Sequence, residues 1–389
     1  MNAATDLLRR TVALPYLSAS DTVRRSFGAS QNGGGVPDGA LQAAIDWLCL
    51  THDVTDRRGS SKGYSLLHGW LPAYPETTGY IIGTLLEHAA KTGDDSLRVR
   101  ARELGDWEIE VQNPDGGVME GAIVSPPTRS VVFNTGMVIF GWVDLHETFG
   151  DEHWLEAGRR AGQFLARVQH DDGTWQGEQT LAANPHTYHS RVDWALLRLF
   201  QATGDEELRT AAVRNLDWVL STQQENGWFE WCNFRAGELP NSHGLAYTMR
   251  GLLESAVLLG DQRYLEGAVR TAHAMLGVFR RLGRLPGTYE RDWSPGGDWV
   301  CVTGLAQTGG VWLRLSQETG DVVLRQAGID AIEQAAAFQS RSSWRAVDGA
   351  VPGSFPIYGR YAPLQYPNWA AKFLADSLVL RERVLGDGR

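Results

Sequence analysis

The chain has 389 residues and a formal net charge of −10, from 36 Lys and Arg against 46 Asp and Glu. That acidic balance argues against nucleic acid or an anionic membrane surface as a main partner. Cys49, Cys232 and Cys301 are widely spaced with no CxxC pair, which suits a reducing compartment and not a disulfide framework. The first stretch, MNAATDLLRRTVALPYL, has no continuous apolar run of signal or membrane-spanning length, so a cytoplasmic protein without membrane insertion is expected.

In chain order, residues 1–36 read as an N-terminal extension packing on the helical body of the chain, and 1–389 as one domain without a linker-like tract. ALQAAIDWLCL is the first helical pattern, and YPETTGY at 74–80 opens the next apolar run. A Gly-Asp pair then recurs at 93–94, 150–151, 204–205, 260–261 and 320–321. The interval is roughly 55 residues, room for two helices and their connections. Glycine suits the left-handed residue that ends a helix, and aspartate caps the next one. The pairs therefore mark tight helix–helix turns. Between them lie long loops rich in glycine, proline and aromatic residues.

Counting ALQAAIDWLCL, the pattern makes six helix–long loop–helix units. Short turns fall on one rim and long loops on the other, where binding and catalysis usually sit. Six such hairpins close into an all-α (α/α)6 barrel, a toroid, or stack as an open spiral. The long loops and the lack of polar capping repeats favour the closed ring.

The second helix of each unit begins PETTGYIIG, VFNTGMVIFG, TYHSRVDWAL, NSHGLAYTMRG, VCVTGLAQTGG or QYPNWAAKF. These starts are expected to face one basin, with several helix N-termini favouring an anion. The expected acid–base residues are Glu76, His189, Asp193, His243 and Tyr361, residue types that can exchange protons or, as carboxylates, form a pair. Tyr80, Asn134, Tyr188, Arg191, Tyr247, Trp299, Tyr358, Arg360, Tyr366, Asn368 and Trp369 are expected around a substrate. Asp298 is a further loop carboxylate, and Lys372 lies on the last helix facing either way. Of fifteen tryptophans, several flank the long loops, where flat rings suit the C–H face of a sugar. Cys232, His243 and Cys301 are the one conceivable zinc set, but lack ligand spacing, so no metal or cofactor is expected.

QHDDGTW at 169–175 and QQENGW at 223–228 resemble the helix-tying repeat of squalene and oxidosqualene cyclases. The acid-rich DxDD motif of those enzymes is absent, since DVTD and DDG do not match it. A terpene-cyclase-like enzyme is therefore the weaker alternative. PETTGYIIGTLL and YGRYAPLQYPNWAAKFLADSLVL resemble the helical-barrel part of glucuronyl C5-epimerases and related bacterial polysaccharide-biosynthesis proteins. The resemblance implies a toroid acting on uronic-acid-containing oligo- or polysaccharides by proton abstraction at C5, as epimerase or lyase. It points to Glu76, Tyr80, Tyr358, Arg360, Tyr361, Tyr366 and Asn368. The β-rich region that precedes the barrel in those epimerases is not legible here. A glycoside hydrolase with paired carboxylates and a non-catalytic glycan-binding protein remain as alternatives. Oligomeric state is not readable from this sequence.

Overall fold

A computed structural model of the protein describes residues 35–124 and 127–386; most of the expected extension over 1–36 lies outside them. Among these described residues twelve α-helices occur in order: α1 Ala40–Asp53, α2 Pro75–Thr92, α3 Asp95–Glu110, α4 Val132–Phe149, α5 Glu152–Arg167, α6 Ser190–Thr203, α7 Glu206–Ser221, α8 Ser242–Leu259, α9 Gln262–Leu282, α10 Val302–Thr319, α11 Val322–Ala337 and α12 Asn368–Gly386.

Burial sorts them into two rings. Helix α8 buries fourteen of its eighteen residues, as a helix covered on all sides must. Helix α7 buries six of sixteen along one stripe, Leu208 through Val219, and leaves the rest to solvent. The even-numbered helices form the inner ring, with each neighbour packed on the next and α12 packed back on α2. The odd-numbered helices form the outer ring. This closed double wall is the expected (α/α)6 barrel.

The Gly-Asp turns are as expected. Gly93, Gly150, Gly204, Gly260 and Gly320 end α2, α4, α6, α8 and α10 at φ between 66 and 76°. Their N–H groups return to the carbonyls of Ala89, His146, Phe200, Ala256 and Ser316. Each following aspartate accepts from a backbone N–H of the next helix: Asp94 from Ser96, Asp151 from His153, Asp205 from Glu207, Asp261 from Arg263 and Asp321 from Val323.

The glutamine motif ties the outer ring. Gln169 donates to the carbonyls of Gly173 in its own loop and Ala211 on α7. Gln223 donates to Gly267 on α9. Two further glutamines outside the quoted motifs act alike: Gln112 reaches Ala157 on α5, and Gln339 reaches Ala40 on α1. The last of these closes the outer wall.

Short strands pin the loops together. Strand β1 (Gly63–Ser65) pairs antiparallel with β2 (Gly69–Trp70), and with Gln365–Pro367 of the final loop in the register Tyr64–Tyr366. Among the described residues no helix is long and apolar enough to cross a membrane.

Because Asp205 caps α7 through one backbone hydrogen bond at 3.0 Å, Asp205→Ala is expected to lower unfolding free energy by ~1 kcal/mol. Equilibrium denaturation of the two proteins measures it.

Candidate active site at the long-loop end

Tyr74 ends the first long loop in an extended conformation, and Pro75 at the first helical position sets the direction of α2. Glu76 is therefore a first-turn carboxylate, where the helix dipole favours negative charge. The Tyr74 hydroxyl donates to Glu76 Oε2 at 2.5 Å. Burial pushes the Glu76 carboxyl above its ordinary range, against opposing effects of that hydrogen bond and of Lys62 and Arg191.

Five phenols surround this carboxylate: Tyr74, Tyr80, Tyr188, Tyr247 and Tyr361. All are raised above the usual phenol range by burial first, and the negative charge of Glu76 adds to each. They stay protonated, and Tyr74 donates to the carboxylate. Trp369 at the start of α12 donates its indole N–H to Tyr361 Oη at 2.9 Å. The Lys62 ammonium lies 4.8 Å from the Tyr74 ring centre and 5.9 Å from that of Trp369. It is half-buried, and it is a cation beside the Glu76 carboxylate.

His243 forms another side of the group. Its ring centre is 4.2 Å from Tyr247 and 5.3 Å from Tyr361. Its Nδ1 meets Gln307 Oε1 at 2.5 Å, and a carbonyl oxygen only accepts, so Nδ1 carries the proton and Nε2 keeps its lone pair. Burial pulls this imidazole down to about 3, with Arg191 helping and Gln307 opposing. It is neutral at neutral pH. Phe133 and Phe234, both half-buried, complete a partly open aromatic cup with Tyr188.

The structure thus gathers Glu76, Tyr80, Tyr188, His243, Tyr247, Tyr361 and Trp369 from the sequence expectation. It places the others elsewhere. His189 is sealed among Phe133, Trp175, His186 and Tyr188, and burial holds it uncharged. Asp193 is fully buried with neither oxygen hydrogen-bonded, and burial alone drives it well up, so it sits protonated within the wall. Asn134 donates to Met119 O at 2.7 Å, and Asn368 to Ser60 Oγ, Ser61 O and Thr77 Oγ1, tying α12 to α2. Tyr366 is in the strand pairing. Trp299 packs flat over Gly287. Tyr358 and Arg360 are exposed. Asp298 is exposed and paired with Arg284 at 2.7 Å. Most loop tryptophans brace the ring: Trp175 donates to Leu165 O, and Trp228 packs edge-on against Trp293. Cys232 and Cys301 are buried thiols raised to about 11 and about 12 by burial. Among the described residues no three metal-capable side chains form a group.

Arg191 is the largest displacement from expectation. It lies behind the cup, its guanidinium 5.0 Å from the Tyr247 ring centre and 5.4 Å from those of Phe140 and Phe373. Sequence reasoning missed Tyr74, Lys62 and Gln307. Tyr74 had a signal, since it sits two residues before Glu76 at the cap. Lys62 had none, because it reaches the site through strand pairing and not through the helical repeat.

No protein-family model and no curated protein sequence matches the chain. Solved structures do match over nearly all of it. An unsaturated glucuronyl hydrolase specific for heparin superposes with TM-score 0.70 at 13% identity, covering 89% of this chain and 97% of that one. A sugar epimerase from a ruminal bacterium gives 0.70 at 12% identity, covering 88% and 97%. A cellobiose 2-epimerase of Spirochaeta thermophila gives 0.71 at 12%, covering 96% and 99%. The chain shares the (α/α)6-toroid fold with these proteins.

Two measurements test this electrostatic arrangement. The Tyr74 hydrogen bond favours the charged carboxylate, so Tyr74→Phe is expected to move the Glu76 titration upward in a carbon-13 NMR titration. Neutral His243 contributes stability that is fully present above its unfolded value near 6.5 and is lost as pH falls toward about 3. His243→Gln is expected to flatten the decline of unfolding free energy across that interval.

Proposed function

We propose that the chain is an enzyme acting on uronic-acid-containing glycans by proton abstraction at C5, as an epimerase or lyase. The observation that carries this reading is one carboxylate of raised pKa, Glu76, set among five protonated phenols and a neutral histidine. Removing a proton beside a carboxylate needs a base on one face and a donor on the other. Glu76 serves as the base, its affinity for the proton increased by burial. Tyr361 or Tyr188 returns a proton, both being phenols that remain protonated at neutral pH. Lys62 pairs with the uronate carboxylate and stabilises the enolate-like charge as it develops. Trp369 and Phe133 offer faces for sugar C–H groups. The likeness of the fold to a glucuronyl hydrolase and two sugar epimerases supports a saccharide substrate.

Hydrolysis by paired carboxylates is the second reading. Asp193 is sealed in the wall and Asp298 is paired at the surface. The remaining partner for Glu76 is Glu120, a half-exposed loop carboxylate close enough to act on Tyr74, though paired with Arg129 at 3.0 Å. That pairing favours proton abstraction.

Incubating a panel of uronate-containing oligosaccharides in deuterated water separates the outcomes. Deuterium at C5 identifies an epimerase, and ultraviolet-absorbing unsaturated ends a lyase. New reducing ends alone establish the hydrolase instead. Glu76→Gln is expected to reduce turnover by roughly 10²- to 10⁴-fold. Turnover of the same substrate undiminished in that variant rules out Glu76 as the base.

A further inference from the structure

A cavity of about 630 Å³ occupies the half of the barrel nearer the short turns, opposite the long loops. Its walls come entirely from the inner helices, beginning at the level of Tyr80, Arg191 and Gln307 and running to Thr148 and Arg383 near the helix C-termini. Tyr80, Tyr247 and Phe373 stand between this cavity and the Glu76 group. Tyr247 contacts His243 and Phe133 on one side and Arg191 on the other.

Six basic side chains line the cavity, and five are paired with carboxylates. Arg198 pairs with Asp144 at 2.7 Å, and Arg250 and Arg314 share Glu254 at 2.7 and 3.2 Å. Lys372 pairs with Asp376, and Arg383 with Glu87. Arg191 is the exception. It is only 5% exposed, it makes no ion pair or hydrogen bond among the described residues, and its Nε is buried without a partner. Its guanidinium faces aromatic rings, with Trp194 at 5.3 Å in addition to those already named. Cation–π contacts offset part of the cost of burying this charge. They do not satisfy its five N–H donors. A buried charge without a counter-ion is otherwise rare, because desolvation is costly unless a partner is present.

We infer that this rear cavity is a second ligand site, in which Arg191 binds the phosphate or carboxylate of a small, hydroxyl-rich organic anion of monosaccharide size. The planar guanidinium fork matches either oxyanion in two parallel hydrogen bonds. On the wall the Thr84 and Ser377 hydroxyls donate to Asp376 and Ala306 O and so can accept from ligand hydroxyls, while the Gln317 amide N–H groups can donate. The volume lies within the range of small-molecule sites. The site stands apart from the chemistry at the long-loop end, and its test does not depend on turnover there.

Titration calorimetry at low ionic strength provides the test, with glucose 1-phosphate, glucuronate and neutral glucose as probes. One or both anions are expected to bind at one per chain while glucose does not; comparing the two identifies the headgroup. Arg191→Gln is expected to weaken binding at least tenfold while the unfolding temperature is maintained or raised, since a buried charge is removed. Thr148→Glu, at the exposed mouth, keeps the arginine and places a like charge on the entry path; it is expected to weaken binding several-fold and covers the case in which the first variant does not fold. Quenching of Trp194 fluorescence by the anion, lost in Trp194→Phe, reports the location. Equal binding of glucose, affinity unchanged in both charge variants, or no binding of either anion at millimolar concentration overturns the inference.

Discussion

The ring depends on its last unit reaching its first. Inner helices packed only against sequence neighbours would wind into a spiral with two exposed apolar ends. Here three sets of hydrogen bonds join the ends. Gln339 reaches the α1 carbonyl of Ala40 in the outer wall, and Gln365–Pro367 pairs with Gly63–Ser65 in the loops. In the inner wall, Asn368 meets Thr77, and Asp376 meets Thr84 at 2.6 Å. Chain segments some three hundred residues apart thereby enclose one interior. Glycines let the inner helices approach: a Cβ at Gly79 would strike the Val138 backbone, and one at Gly251 the Ser190 backbone.

Closure also divides the interior. A ring of inner helices encloses a column, and at mid-height Tyr80 and Tyr247 pack their rings on Phe373, at 5.4 and 5.8 Å. Above them the irregular loops bring Tyr74, Lys62 and Tyr361 to Glu76. Below them only helix side chains are available, and their charges are paired within a helix, as Lys372 with Asp376, or across a seam, as Arg198 with Asp144, apart from Arg191. The two compartments remain electrically coupled, since Arg191 pulls both the Glu76 carboxyl and the His243 imidazole down across the aromatic layer. In a low-dielectric interior a charge acts over such a distance with less screening than at a surface.

Buried polar residues explain why several expectations changed role. His189 and Asp193 follow the same repeat logic as Glu76 and His243, yet they lie within the wall. Helix α6 begins after a short 3-10 turn, Thr187–His189, which fixes where each of its first residues faces. Periodicity along one helix cannot reveal that local change in level. Asn134 and Asn368 were legible as polar residues at helix starts, but their amides hold loop backbone. A buried amide whose N–H groups are taken up by neighbouring carbonyls and hydroxyls serves the scaffold.

The sequence by itself determined the repeat, the Gly-Asp turns and the two-rim organisation, because each rests on local chemistry within one turn or cap, and the glutamine ties were legible through a motif resemblance. It also put Glu76 and His243, alongside His189, Asp193 and Tyr361, among the acid–base candidates. Tertiary structure alone decided which candidates share a cup, that Lys62 joins them through strand pairing, and that Arg191 belongs to the opposite compartment. Those outcomes depend on contacts between residues far apart in the chain, and on how deeply each charge is withdrawn from water, neither of which a local pattern encodes.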